Sequence, residues 1–294
     1  MKTIGFVGLG SMGLPMAINL GKAGFAVTGF DLRAEARQAL QAAGGEAVGS
    51  LGEAFSGRDA AVLMVVNVAQ AEDILFGQGA LTRLAPGGPV ILMATCPPAA
   101  VAALAARVEA AGHALVDAPV SGGVVGAEAG SLTIMAAARR PVFDVVKPVL
   151  DAMGSKVVFM GEEPGQGATA KAVNQLLCGA HLAIAAEALS LAEKLGVDTR
   201  AMLDIVSGSA ASSWMLRDRG ARMLEREPRV TSAIDIFVKD LGIVLEAGRD
   251  AKAALPMAAL AHQLFLSVSG RGLGARDDSQ VIAAYRAMQG CGAT

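Results

Sequence analysis

The 294-residue sequence is poor in cysteine and histidine and carries almost no charge imbalance. Its three cysteines, Cys96, Cys178 and Cys291, form no close pair and no metal-ligand spacing, and an odd number suits a reducing compartment better than a disulfide framework. His113, His181 and His262 are equally scattered, so neither residue type supplies a metal site. A net charge of -2 with both signs interspersed gives no basic footprint for nucleic acid and no polybasic arm for a membrane. No uninterrupted apolar run reaches the roughly 18 residues of a spanning helix. The segment 176–192 comes nearest and is broken by His181 and Glu187. Met1-Lys-Thr leads straight into an apolar strand, without the features of a secretory signal, so a cytoplasmic location is expected. Repeats, low-complexity tracts and extended linkers are also missing. These absences leave a chain long enough for two domains, whose default partner is a small metabolite.

What is there begins with the apolar run at residues 4–7, which ends at Gly8-Leu9-Gly10-Ser11-Met12-Gly13. Leu14, Met16, Ala17, Leu20 and Ala23 then recur at helical spacing, and residues 26–30 read as a second strand that stops at Asp31. A GxGxxG string alone is weak; between a strand and a helix, with an acid at the next strand end, it is a dinucleotide fingerprint. Gly8 permits the tight turn, Gly10 lets the backbone approach a pyrophosphate, and Gly13 lets the helix pack close to the strand. N–H groups at the helix start meet the negative charge. A carboxylate at Asp31 accepts hydrogen bonds from ribose hydroxyls and repels a 2′-phosphate, which favours NAD over NADP; Arg33 is a group that accommodates such a phosphate.

Strands at 59–66, 89–94 and 114–117 alternate with alanine-rich helical stretches, and strands at 131–137 and 156–160 flank a helix at 141–153. The pattern predicts an α/β, Rossmann-type doubly wound parallel sheet. Ligands of such sheets sit beyond the carboxyl ends of the strands, which places Val66, Asn67 and Thr95 beside the cofactor. Thr95 serves equally as a helix cap before Pro97 and Pro98. Ser121, Gly122 and Gly123 present a hydroxyl and backbone N–H groups suited to a carboxylate, or form a simple turn.

From Gly165 a proline-free stretch to residue 193 predicts one helix of roughly 40 Å, enough to pass from one domain into the next. Lys171, Asn174 and Gln175 share a face of it, either as an amine and two amides in a cleft or as a solvated surface. Beyond residue 195 only helices are expected, at 199–206, 213–226, 234–249, 256–268 and 279–288. The expected division is a dinucleotide-binding domain at 1–163 and an all-α domain at 164–294 that opens with the long helix.

With GLGSMG, DAPVSGG and the GxGxxxKxxN run from Gly165 in this order, the chain resembles the beta-hydroxyacid dehydrogenase family over essentially its whole length. Residues 65–70, 212–215, 232–242 and 277–279 are most similar to its L-threonate dehydrogenase branch. The resemblance implies that Lys171 is the catalytic residue, that Ser121, Gly122 and Gly123 bind the substrate carboxylate and that Asn174 orients the substrate. It further implies that Thr95 and Lys239 line the cofactor or reaction site. Many relatives carry two asparagines after the lysine; Gln175 replaces the second here, and which amide meets the substrate stays open. Lys239 and Asp240 have the alternative of a surface ion pair, and Trp214 and Phe237 are either a pocket wall or core. The implied activity is hydride transfer from a short hydroxyacid to NAD, at C2 in the L-threonate branch, by a homodimer or homotetramer.

Overall fold

The computed structural model describes residues 1–290, so Cys291 lies outside the described residues. The chain divides into two compact units, Met1–Lys171 and a second beginning at Ala172.

The first unit is built on β1 (Thr3–Val7), α1 (Gly13–Lys22), β2 (Ala26–Phe30), α2 (Ala34–Ala42), β3 (Glu46–Ala47), α3 (Leu51–Phe55), β4 (Ala60–Leu63) and α4 (Val68–Glu72). It continues through β5 (Pro89–Leu92), α5 (Pro98–Ala110), β6 (Ala114–Asp117), β7 (Val120–Ser121), α6 (Gly123–Glu128), β8 (Thr133–Ala137), α7 (Arg140–Asp151) and β9 (Lys156–Gly161). Strands β3-β2-β1-β4-β5-β6 lie side by side and parallel. The order reverses between β1 and β4, which sets the ligand position beyond the carboxyl end of β1.

Period-two alternation sorts the strand residues between two cores. Ile4, Phe6 and Val62 face one, closed by Met16 and Leu20 of α1 and by Val146 of α7. Val7, Ala61 and Leu63 face the other, closed by Phe55 of α3 and by Leu104 and Val108 of α5. Both faces are buried, which explains why these strands read as continuous apolar runs.

The far edge departs from the all-parallel expectation. β8 runs antiparallel to β6 at Asp117↔Ala137, β7 pairs antiparallel with β8, and β9 is parallel to β8. The two-residue β7 lies on β8, so the chain turns back right after β6 and β8 enters the sheet reversed.

α8 (Gln166–Lys194) begins in the first unit and continues in the second. It has the length and hydropathy of a membrane-crossing helix, which corrects the expectation that no stretch qualifies. An average over 18 residues tolerates His181 and Glu187 where a count of uninterrupted apolar residues does not. Half of that window is buried within the chain.

The second unit holds the rest of α8 with α9 (Thr199–Ser207), α10 (Trp214–Met223), α11 (Ile234–Asp250), α12 (Pro256–Val268) and α13 (Ile282–Met288). Leu182, Ala186 and Leu189 of α8 pack with Phe237, Leu241 and Val244 of α11 and Phe265 of α12. A Cβ at Gly179 would lie 2.8 Å from a Leu241 methyl, so the missing side chain lets α8 and α11 approach. Phe237 stacks on Phe265 with ring centroids 4.9 Å apart, which makes it core. Trp214 opens α10 half-exposed.

Under α10 lies a buried ionic network. Arg219 reaches Asp278 at 2.8 Å and also pairs with Asp218, while the Thr231 N–H donates to Asp277 at 2.9 Å. Removing one partner of a buried pair leaves an uncompensated charge, at a cost of roughly 3–5 kcal/mol. Asp278→Ala is therefore expected to destabilise by that order in urea denaturation. Arg140→Ala, which breaks an exposed i,i+4 pair with Asp144, is expected to cost no more than about 1 kcal/mol.

Candidate active site

The turn after β1 is shaped by contacts that leave no room for side chains. Gly8 has a left-handed φ of 95°, and a Cβ there would overlap the Met64 carbonyl. A Cβ at Gly13 would overlap the Gly8 carbonyl, so the start of α1 rests on the turn itself. Around Gly10 the space is open, with only the Arg33 guanidinium 3.8 Å from where a Cβ would be. No side chain caps the first N–H groups of α1. Open backbone at Gly10 and uncapped N–H groups are what a pyrophosphate requires, so Gly8, Leu9, Gly10, Ser11, Met12 and Gly13 fit a dinucleotide.

Asp31 stands where β2 ends and braces this turn. Its Oδ2 accepts from the Leu9 N–H at 2.8 Å, and its Oδ1 accepts from the Arg33 N–H at 2.9 Å and from Arg33 Nε at 3.2 Å. Burial opposes its ionisation, but the Arg33 and Leu9 donors outweigh it and hold the carboxyl below the usual carboxylate range. It is therefore a carboxylate at neutral pH, as ribose hydroxyls need. Arg33, largely exposed, lies over the same carboxylate.

The neighbouring strand ends are less uniform. Asn67 caps α4, its Oδ1 accepting from the Gln70 N–H at 2.9 Å, while Gln70 returns to accept from the Val66 N–H. The polar groups of both positions are thus engaged in a reciprocal helix cap, which the sequence reading did not identify. The N-cap position of α5 is Pro97 and not Thr95. Ser121 ends β7, and Gly122 and Gly123 follow with φ of 132° and 62°, conformations that L side chains rarely adopt. A cleft of about 470 Å³ lined by Ile18, Lys22, Phe25, Leu40 and Glu46 lies at the other end of α1 from the glycine turn.

Lys171 is buried in the second turn of α8. Asn174, one turn on, shares its face. Asn174 Nδ2 donates to Gln175 Oε1 at 3.0 Å and sits 3.4 Å from Cys178 Sγ. Gln175 Nε2 donates to Asp240 Oδ2 at 2.6 Å, and Lys239 Nζ donates to Asp240 Oδ1 at 2.6 Å. Asp240 is only 3% exposed, so the surface-pair alternative for Lys239 and Asp240 is corrected. The carboxylate is the hub of a polar chain whose partners lie 65 positions apart in sequence, too far for any local spacing to reveal. No group of metal-ligating side chains occurs among the described residues.

A Rossmann unit with a glycine cradle and a terminal acid, joined by one helix to a helical unit, defines a nicotinamide-dependent oxidoreductase. Two family models cover nearly all of the chain. The NAD binding domain of 6-phosphogluconate dehydrogenase matches residues 3–161, and the NAD-binding domain of NADP-dependent 3-hydroxyisobutyrate dehydrogenase matches residues 165–285. The chain belongs to the beta-hydroxyacid dehydrogenase family and is an NAD-dependent dehydrogenase of a small hydroxyacid. It is 42% identical to an L-threonate dehydrogenase of Cupriavidus necator, over 98% of this chain and 97% of that one. An L-threonate dehydrogenase of Haemophilus influenzae is 40% identical over 95% and 94% of the two chains. A solved 3-hydroxyisobutyrate dehydrogenase from Salmonella typhimurium superposes with a TM-score of 0.92 at 39% identity, covering 96% of this chain and 99% of that one.

Hydrogen bonds to a charged group contribute about 1.5–3 kcal/mol. Asp31→Ala is therefore expected to weaken NAD binding by roughly one to two orders of magnitude in calorimetry. Binding of NADP is expected to weaken less, because the repulsive charge is lost along with the ribose contacts.

Proposed function

We propose that the chain oxidises the C2 hydroxyl of L-threonate to the 2-oxo acid. The observation that carries this reading is a buried lysine, Lys171, placed one helical turn from Asn174 on α8. The two L-threonate dehydrogenases, alike over nearly the whole chain, support the choice of acid.

In this reading Ser121, with the backbone of Gly122 and Gly123, holds the substrate carboxylate. Lys171 accepts the proton of the C2 hydroxyl during oxidation and returns it during reduction. Asn174 orients the substrate hydroxyls. Gln175, held between Asn174 and Asp240, positions that amide rather than meeting the substrate. Thr95, Val66, Asn67 and Lys239 border the cofactor. Bound NAD supplies the acceptor for the hydride that leaves carbon.

A second reading keeps the mechanism and changes the acid to 3-hydroxyisobutyrate, tartronate semialdehyde or another short hydroxyacid. The likeness to the Salmonella typhimurium 3-hydroxyisobutyrate dehydrogenase favours it. A homodimer or homotetramer is the proposed assembly, supported by Leu177, Ile184 and Leu191, which recur exposed along α8.

Three measurements test these statements. In an assay of NADH formation with L-threonate, D-threonate, D-erythronate, 3-hydroxyisobutyrate and D-glycerate, L-threonate is expected to give the highest kcat/KM. A different preferred acid favours the second reading. Lys171→Ala is expected to lower kcat by roughly 10²–10⁴ with NAD affinity retained, and near-normal turnover would remove Lys171 from the mechanism. Light scattering after gel filtration is expected to give at least twice the chain mass.

A further inference from the structure

Asp117 ends β6 with 1% of its surface exposed. Its Oδ2 accepts from the Gly165 N–H and from the Ala168 N–H, both at 2.8 Å, and the Gly167 N–H also favours its ionised form. These are donors from the start of α8, so one buried carboxylate binds the positive end of a 29-residue helix.

The backbone around it is shaped to the same end. Gly165 has a left-handed φ of 103°, and a Cβ there would lie 2.9 Å from the Pro98 carbonyl. A Cβ at Gly167 would overlap the Met135 carbonyl and lie 2.8 Å from the Asp117 carbonyl. The first turn of α8 is thereby pressed against the end of β6 and the middle of β8. Lys171 comes three residues after Ala168, about 4.5 Å further along the helix axis. In the other direction the chain runs from Asp117 through Ala118, Pro119 and Val120 to Ser121.

We propose that Asp117 is the positioning residue for Lys171: its carboxylate fixes the start of α8 on the strand end from which the Ser121 loop departs. The proposal rests on the acid/base reading of Lys171. A displacement near 1 Å at a reacting group costs about 10²-fold in rate, which sets the scale of the effect.

Burial pushes the Asp117 carboxyl up to about 6, with the three backbone donors pulling the other way. The groups that lower it are backbone N–H groups of Gly165, Gly167 and Ala168. Because its value in the fold is raised, the stability it contributes is fully present below the ordinary 3.8 and is lost as pH rises through about 6. Positioning has the opposite sign, because the three donors bind the ionised form best and loosen as pH falls through the same region.

The test compares wild type with Asp117→Asn and Asp117→Ala. It uses reduction of the 2-oxo acid by NADH, where an ammonium Lys171 is the active form and contributes no acid limb of its own. Asp117→Asn is expected to lower kcat roughly 10- to 100-fold with KM and NAD affinity within about threefold, and Asp117→Ala to lower it further. Wild-type kcat is expected to fall below a pH near 6, and Asp117→Asn to lose that limb. Hydrogen exchange, which requires no turnover, is expected to speed up at the amides of residues 165–168 while the rest of the first unit is unchanged. Should wild type turn over no hydroxyacid, the acid/base reading fails, and the exchange result alone decides whether Asp117 anchors the helix. Should the Asp117 variants not fold, Gly167→Ala is expected to give the same kcat loss with the limb near pH 6 retained. Normal kcat in a folded Asp117→Asn protein, or unchanged exchange at residues 165–168, would overturn the proposal.

Discussion

Backbone packed directly against backbone is the constraint on which the first unit depends. Gly13 rests on the Gly8 carbonyl, Gly8 on the Met64 carbonyl, and Gly167 on the carbonyls of Met135 and Asp117. The first two contacts bring the start of α1 to the carboxyl end of β1, where the strand order reverses and open backbone at Gly10 faces outward. The third brings the start of α8 to the end of β6 and the middle of β8. Two helix starts are thus seated on one sheet by the same device, one suited to a cofactor phosphate and the other already holding a carboxylate of the chain itself.

Burial of charge follows a consistent rule in both units. Asp117 is satisfied by N–H groups, Asp240 by Gln175 and Lys239, and Asp278 by Arg219. Each is a carboxylate held by at least one donor distant in sequence. Such groups contribute little net stability against an apolar replacement, but they are costly to leave unpartnered and so admit few alternative arrangements of the elements that carry them. In a dehydrogenase that restriction has a direct use, because the reacting groups have to meet within a fraction of an ångström.

The legible part of the structure was the part encoded locally. The glycine turn, Asp31 and the first strands show in a short window because their contacts are made within it. The long helix and the helical second unit show in periodicity, and the sorting of Ile4 and Phe6 from Val7 is simple alternation. What sequence reading missed depends on distant partners. Asp117 looks like a strand-end acid until residues 165–168 are folded against it, and Asp240 looks like half of a surface pair until Gln175 reaches it. The reversal of β8 was hidden because β7 is only two residues long. The helix-cap role of Asn67 was hidden for a different reason: a cofactor contact and a helix cap want the same residue at the same strand end.

The glycine at position 167 has a consequence for how this chain can vary. Every coded replacement of glycine adds at least one carbon, and here that carbon has nowhere to go without lifting a helix from two strands. The least replaceable positions in the catalytic half are therefore ones that bring no chemistry of their own. In the proposed reading, a change of substrate preference, by selection or by design, has its room in the side chains of the Ser121 loop and in Asn174, while the helix start that carries Lys171 has to be inherited unaltered.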